Sequence, residues 1–353
     1  MRKSKATPVN EPPHKSARSG NIFDVFVKQM FGRIFVFADF LRRYADQDFV
    51  REIDLKRIRL APTHYIGKKG DERIVDLVFT CPLKNGKGNL TAVIIFEHQG
   101  GSLRKIPRKL LKYIAAIWTA EEKEGRKPSA PFFIVLRTAK KPHRGRYPTL
   151  ADGLPKDKDG NPIGKTVEIA YDVVDLPAWD FDKLIGGPVV RLALGILKAT
   201  AEDMEEELPE ALSPLREISD EEQKFELTKE VLEFFAKWLA AHNKRLDEAE
   251  LDKALKPVLR NEEMEMIKTI FDEKFDEGVA VGEARGLAQA ETKALAEKSE
   301  TILTFLRARF KRVPKDVAQT VRQAKDKTVL DSWAAHAATC ESMAEFERAL
   351  DSQ

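Results

Sequence analysis

The stretch Leu90–Gln99, LTAVIIFEHQ, constrains what this chain can fold into more than any other. It runs apolar through three consecutive β-branched residues, Val93, Ile94 and Ile95, and its length and composition predict a buried strand. The run then closes on Glu97, His98 and Gln99. Alternate side chains on a strand share a face, so Glu97 and Gln99 point together, on the face lined by Val93 and Ile95, while His98 points the other way. A buried carboxylate is costly unless a cation, a proton or hydrogen-bond donors compensate it. The sequence therefore poses one question above others, which is what compensates Glu97.

Lys and Arg number 60 against 57 Asp and Glu, so the global charge selects no class of partner and only its local distribution informs. The cysteines, Cys81 and Cys340, are too few for a disulfide framework or a cysteine-based zinc site and fit a reducing cytoplasm. No apolar run approaches the ~20 residues of a membrane span. The N-terminus lacks the apolar core of a signal peptide, so a soluble cytoplasmic protein with no membrane partner is expected.

Residues 1–20 are basic and proline-rich and are expected as a disordered tail. From Asn21, a candidate N-cap, the residues Phe23, Phe26, Val27, Met30, Ile34, Phe37 and Leu41 recur at helical spacing, with Asp24 and Lys28 one turn apart. Three strands are expected next, Lys56–Ile66, Arg73–Thr80 and Leu90–Gln99. They are joined by turns at Gly67–Asp71 and at Pro82–Asn89, the second containing the hairpin signal Asn85-Gly86, so they form an antiparallel meander. A helix over Ile106–Trp118 carries one apolar stripe, crowded by Arg104, Lys105, Arg108, Lys109 and Lys112, and ends at Gly125 and Pro128. Pro131–Arg137, PFFIVLR, is a fourth strand, and Val167–Leu176 is a candidate fifth.

The basic segment Lys140–Arg146 reads as loop, either merely solvated or tracking DNA. Val189–Thr200 is an apolar helix. The α/β domain thus spans residues 21–200, an acidic linker 201–222, and an α-helical C-terminal region 223–353. Within that region Gly278, Gly282 and Gly286 share one face of a helix over 275–290, which suits either the approach of a second subunit or a flexible spacer. Beyond Pro314 a small helical bundle is expected.

Asp76 lies between Val75 and Leu77 in the run before Glu97. Two carboxylates on neighbouring buried strands oppose each other's ionisation. A hard divalent ion, Mg²⁺ or Mn²⁺, resolves that conflict, and Gln99 on the same face would orient a water or a phosphate oxygen. The basic helix downstream suits a nucleic-acid backbone. The competing reading is a structural ion pair of these carboxylates with Arg73 or Lys112.

Asp76 followed by Glu97-His98-Gln99, on the order helix, three strands, helix, strand, resembles the PD-(D/E)XK nuclease core, α-β-β-β-α-β with a mixed sheet flanked by helices, in the variant where glutamine replaces lysine. More narrowly the chain resembles the Rpn family of recombination-promoting nucleases, also described as YhgA-like putative transposases. The matching pieces are Phe23-Asp24 through Lys28 and Phe31, Arg73–Phe79, Ile94–Gln99, Ile106-Pro107 through Trp118, and Pro131–Leu136. The resemblance implies a Mg²⁺-dependent DNA endonuclease aiding recombination or mobile-element transfer. In it Asp76 and Glu97 hold the metal with the His98 backbone carbonyl, and Gln99 stands for the lysine. Asp24 and Lys28 are accessory, and Arg104, Lys105, Arg108, Lys109, Lys112 and Tyr113 contact DNA. The chain departs from the family at Phe23, Gly100 and Lys109, where histidine, serine and arginine are usual. The alternative is a nuclease-fold protein without turnover that acts as a DNA-binding or assembly module.

Overall fold

The computed structural model describes residues 16–61, 77–84, 91–199, 204–242, 244 and 246–351. The chain divides into two compact units, Met1–Phe275 and Asp276–Gln353. Among the described residues, no helix is long and apolar enough to cross a membrane.

The first unit is built on a mixed five-stranded sheet in the order β1 (Arg59–Leu60), β2 (Leu77–Pro82), β3 (Thr91–Gln99), β4 (Ala130–Arg137) and β5 (Asp172–Asp175). β1, β2 and β3 pair antiparallel, with Leu77 opposite Phe96. β4 runs parallel to β3 and β5 parallel to β4. Parallel neighbours need a crossover, and helix α4 (Ile106–Lys123) provides the one between β3 and β4. Gly125, at φ +66°, closes α4: its amide donates to the Glu122 carbonyl and that of Arg126 to the Glu121 carbonyl. The buried Glu121 carboxylate then accepts from the Ser129 amide at 2.9 Å, which fastens the turn into β4.

Each sheet face has its own core. On one, Val78, Val93, Ile95, Phe133 and Val135 pack against Ile106, Leu110, Tyr113, Ile114 and Ile117 of α4. On the other, Phe79, Ile94, Phe96, Ile134 and Leu136 meet α1 (Ser16–Phe31), α2 (Ile34–Tyr44) and α5 (Pro188–Ala199). Phe96 sits among Phe31, Phe37 and Phe40 at ring-centroid distances of 5.1 to 5.4 Å. Outside them α7 (Glu221–Ala241) packs Phe234 on Phe26 at 4.3 Å, and its Glu230 holds Arg33 with two hydrogen bonds of 2.5 and 2.7 Å.

Several boundaries differ from the sequence reading. The first helix begins at Ser16 rather than at an Asn21 cap, and the periodic run splits into α1 and α2 at Gly32. There the chain turns so sharply that a Cβ would lie 2.4 Å from the Lys28 carbonyl oxygen. Among the described residues of the first expected strand, Arg59–Leu60 is paired as β1, after a 3-10 turn at Leu55–Arg57. Residues 62–76, with the turn Gly67–Asp71 and Asp76, and residues 85–90 lie outside the described residues.

The acidic span read as a linker is packed structure. α6 (Met204–Leu212) and a 3-10 turn (Ser213–Glu217) bury Leu208, Ala211, Leu212 and Leu215. Gly195 of α5 lets Ala211 approach so closely that a Cβ would lie 3.3 Å from its Cα. The first unit also takes in α7, α8 (Glu248–Leu255) and the first turns of α9 (Asn261–Phe310), where Met264, Ile267 and Phe271 join its core. The helix expected over 275–290 proves to be part of a single long helix, α9, which contains the glycine-every-four segment.

In the second unit, the end of α9 packs with α10 (Lys315–Gln323), α11 (Lys327–Thr339) and α12 (Met343–Asp351) around Leu303, Leu306, Val321, Leu330, Trp333 and Phe346. This is the expected terminal bundle. At Gly282 an added Cβ would meet nothing within 4 Å.

Candidate active site

Glu97 is 1% exposed. β3 delivers it to the sheet face covered by α4, and α4 supplies what surrounds it. Lys109 and Tyr113 are four residues apart and so share a helix face. The Lys109 ammonium forms a salt bridge with Glu97 Oε1, and the Tyr113 hydroxyl donates to Oε2 at 3.4 Å. This face meets the strand because Leu103, Ile106 and Leu110 anchor the start of α4, where Pro107 occupies an N-terminal position that needs no amide donor. The carboxylate is thus compensated by a cation from the crossover helix. Lys112 is exposed, and Arg73 lies outside the described residues.

His98 points to the opposite face, as alternation demands. Its Nδ1 lies 3.3 Å from Asp24 Oδ1 of α1 and its Nε2 2.8 Å from Thr138 Oγ1, and its ring stacks on Phe23 at 5.6 Å between centroids. Asp24 therefore reaches the site through His98, from the side of the sheet away from Glu97. Lys28 is half-buried and makes no ion pair with Asp24 among the described residues. Gln99 is half-buried, and its carbonyl accepts from the Thr138 amide at 3.1 Å.

The basic set divides. Arg104, Lys105, Arg108 and Lys112 are exposed around the start of α4, whereas Lys109 turns onto Glu97 and Tyr113, at 2% exposure, is packed beneath the helix. A buried ring offers a nucleic acid no contact surface, so Tyr113 belongs with Glu97 rather than with the exposed cations. One pair escaped the sequence reading. The register sets Gln99 beside Arg137 and Arg137 beside Asp175. Arg137 and Asp175 form a buried ion pair at 2.5 Å. Its signal was the one that marked Glu97, a charged residue closing an otherwise apolar strand.

Hard divalent ions take oxygen ligands and are commonly held by one or two carboxylates. The buried Glu97 carboxylate fits as one of them, with Lys109 as its present counter-charge. Among the described residues, no group of three or more His, Cys, Asp or Glu side chains gathers to hold a metal, and Asp76 lies outside those residues.

The sequence matches a family model described as "Putative transposase, YhgA-like" over residues 21–226, more than half of the chain. No curated protein and no solved structure matches it.

Proposed function

Because the chain belongs to the family described as "Putative transposase, YhgA-like", we propose that it is a Mg²⁺-dependent DNA endonuclease with a PD-(D/E)XK-type core, acting in recombination or mobile-element transfer. The observation that carries this reading is the buried Glu97 carboxylate at the end of the central strand β3, followed by exposed Arg104, Lys105 and Arg108 at the start of α4. Asp76 is its partner in the proposal. β2 begins at Leu77, opposite Phe96. The Asp76 and Glu97 carboxylates, with the His98 backbone carbonyl, would hold Mg²⁺ or Mn²⁺. Such an ion, when bound, supplies a water of lowered pKa and a Lewis acid for the phosphoryl oxygen. Gln99 would orient the attacking water or a phosphate oxygen, and Lys109 would release Glu97 and turn its ammonium to the phosphate as a point charge.

A second reading keeps the scaffold and its DNA binding without turnover. It is favoured by Lys109 and Tyr113, which already engage both Glu97 oxygens. Supercoiled plasmid incubated with Mg²⁺ separates the two. Nicking by the native protein that disappears in Asp76→Ala and in Glu97→Ala is the expected result. Cleavage that survives both substitutions removes the site, and binding without cleavage in any divalent ion selects the second reading.

A further inference from the structure

The loop that leaves β4 is basic and rests on a buried anchor. The Arg137 guanidinium donates to Asp175 Oδ1 at 2.5 Å and to the Lys141 carbonyl at 2.8 Å. The other Asp175 oxygen accepts from the His143 amide at 2.6 Å. A buried ion pair adds little stability over an apolar pair of similar size, so the consequence here is geometric. The pair takes backbone groups of Lys141 and His143 as partners and fixes the loop against the sheet edge. Further along, the His143 and Tyr147 rings stack at 5.1 Å, and Arg146 binds Asp152.

With that backbone turned inward, the Lys140, Lys141 and Arg144 side chains are exposed, and none forms an ion pair among the described residues. The neighbouring acids are already engaged. Asp175 is inside, and Arg146 together with the Thr149 amide holds the Asp152 carboxyl well below the usual carboxylate range. The loop starts beside the site, where the Thr138 amide donates to the Gln99 carbonyl. Its far end returns to α4, where Arg108 Nη2 lies 3.4 Å from the position of a Cβ on Gly153.

We infer that the loop from Thr138 to Gly153 is a second strip of phosphate contacts, in which Lys140, Lys141 and Arg144 track the backbone of duplex DNA alongside the Glu97 end of the sheet. This rests on the DNA-directed reading of that end of the sheet. Contacts of this kind fix register on the duplex and read no bases. An anionic membrane is the weaker match, since from Thr138 to Gly153 the one residue among Leu, Ile, Val, Phe and Met is Leu150, and it is half-buried.

The test is a titration of a short fluorescein-labelled duplex with the full chain in EDTA, over a salt series. Each phosphate contact to duplex DNA adds about 0.9 to the slope of log K against log salt, so Lys140→Ala/Lys141→Ala/Arg144→Ala should lower it by about 2 to 3. The charge-preserving Lys140→Arg/Lys141→Arg/Arg144→Lys should keep the native slope. An unchanged slope in the alanine variant overturns the inference. So does native protein that binds phosphatidylserine vesicles but not the duplex. EDTA silences metal chemistry, so the two proposals fail separately. A plasmid left intact in Mg²⁺ while the slope falls sinks only the nuclease reading, and normal cleavage with an unmoved slope sinks only the loop.

Discussion

Glu97 is held as a buried carboxylate by a cation that is itself one-third exposed, Lys109. Breaking a fully buried pair costs ~3–5 kcal/mol because one charge is left without compensation. Solvent at Lys109 softens that penalty, so Lys109→Met should destabilise by about 2 kcal/mol in urea unfolding at pH 7. Adding Glu97→Gln should restore most of it, since the carboxylate that has lost its ammonium is then neutral; a double variant no more stable than the single would show that Lys109 acts by packing instead. Cys81 gives a residue-scale prediction of another kind. Burial, reinforced by the Asp54 carboxylate, pushes its thiol up to about 11, and the Sγ lies 3.1 Å from the Asp54 carbonyl oxygen. The thiolate is the reactive form, so the native protein should resist alkylation at Cys81 at pH 8 and react only on unfolding. The folded value lies above the unfolded one. The associated stability is therefore complete below the ordinary thiol range and declines as pH rises toward 11. Fast alkylation of the folded chain at pH 8 would contradict this.

Among the elements, Gly32 is the sharpest break. Gly32→Ala sets a Cβ against the Lys28 carbonyl and should cost roughly 2–3 kcal/mol through strain at a special backbone position, read from the shift of the thermal midpoint. Asp175→Asn strands Arg137 beneath the basic loop. Its expected signature is a stability loss of about 3–5 kcal/mol together with faster tryptic cleavage between Lys140 and Arg146; unchanged cleavage would mean the loop is held by other contacts. What the sequence disclosed follows from locality. β3, β4 and α4 were legible because their apolar periods are long and uninterrupted, and Glu97 stood out against such a period. The break at Gly32 was not, because apolar spacing continues across it from Met30 to Ile34 and Phe37. α6 was hidden by glutamates and Pro209, which mask an apolar face of few residues. The Lys109–Glu97 pair depends on how a helix docks on a sheet, and helical spacing alone does not say which basic residue of α4 meets the strand.

At the scale of the whole molecule, each compact unit has its own core, and Met264, Ile267 and Phe271 commit the start of α9 to the first. Removing residues 276–353 should therefore leave the first unit folded and delete one of two calorimetric transitions; a single merged transition in the full chain would argue against independent cores. The same truncation tests self-association through Gly278, Gly282 and Gly286, which predicts a larger sedimenting species only when those residues are present. Finally, the alternation of Glu97 and His98 bears on how the chain avoids misfolding. A one-residue slip of β3 would turn Glu97 toward Asp24 and His98 toward Lys109, because an odd-numbered slip exchanges the two faces of a strand. For such odd-numbered slips, which alone exchange the faces, like charges would meet on one face and a cation would lose its carboxylate on the other. The chemistry at the end of β3 thus acts as a parity check on the sheet, rejecting odd-numbered slips from both sides at once.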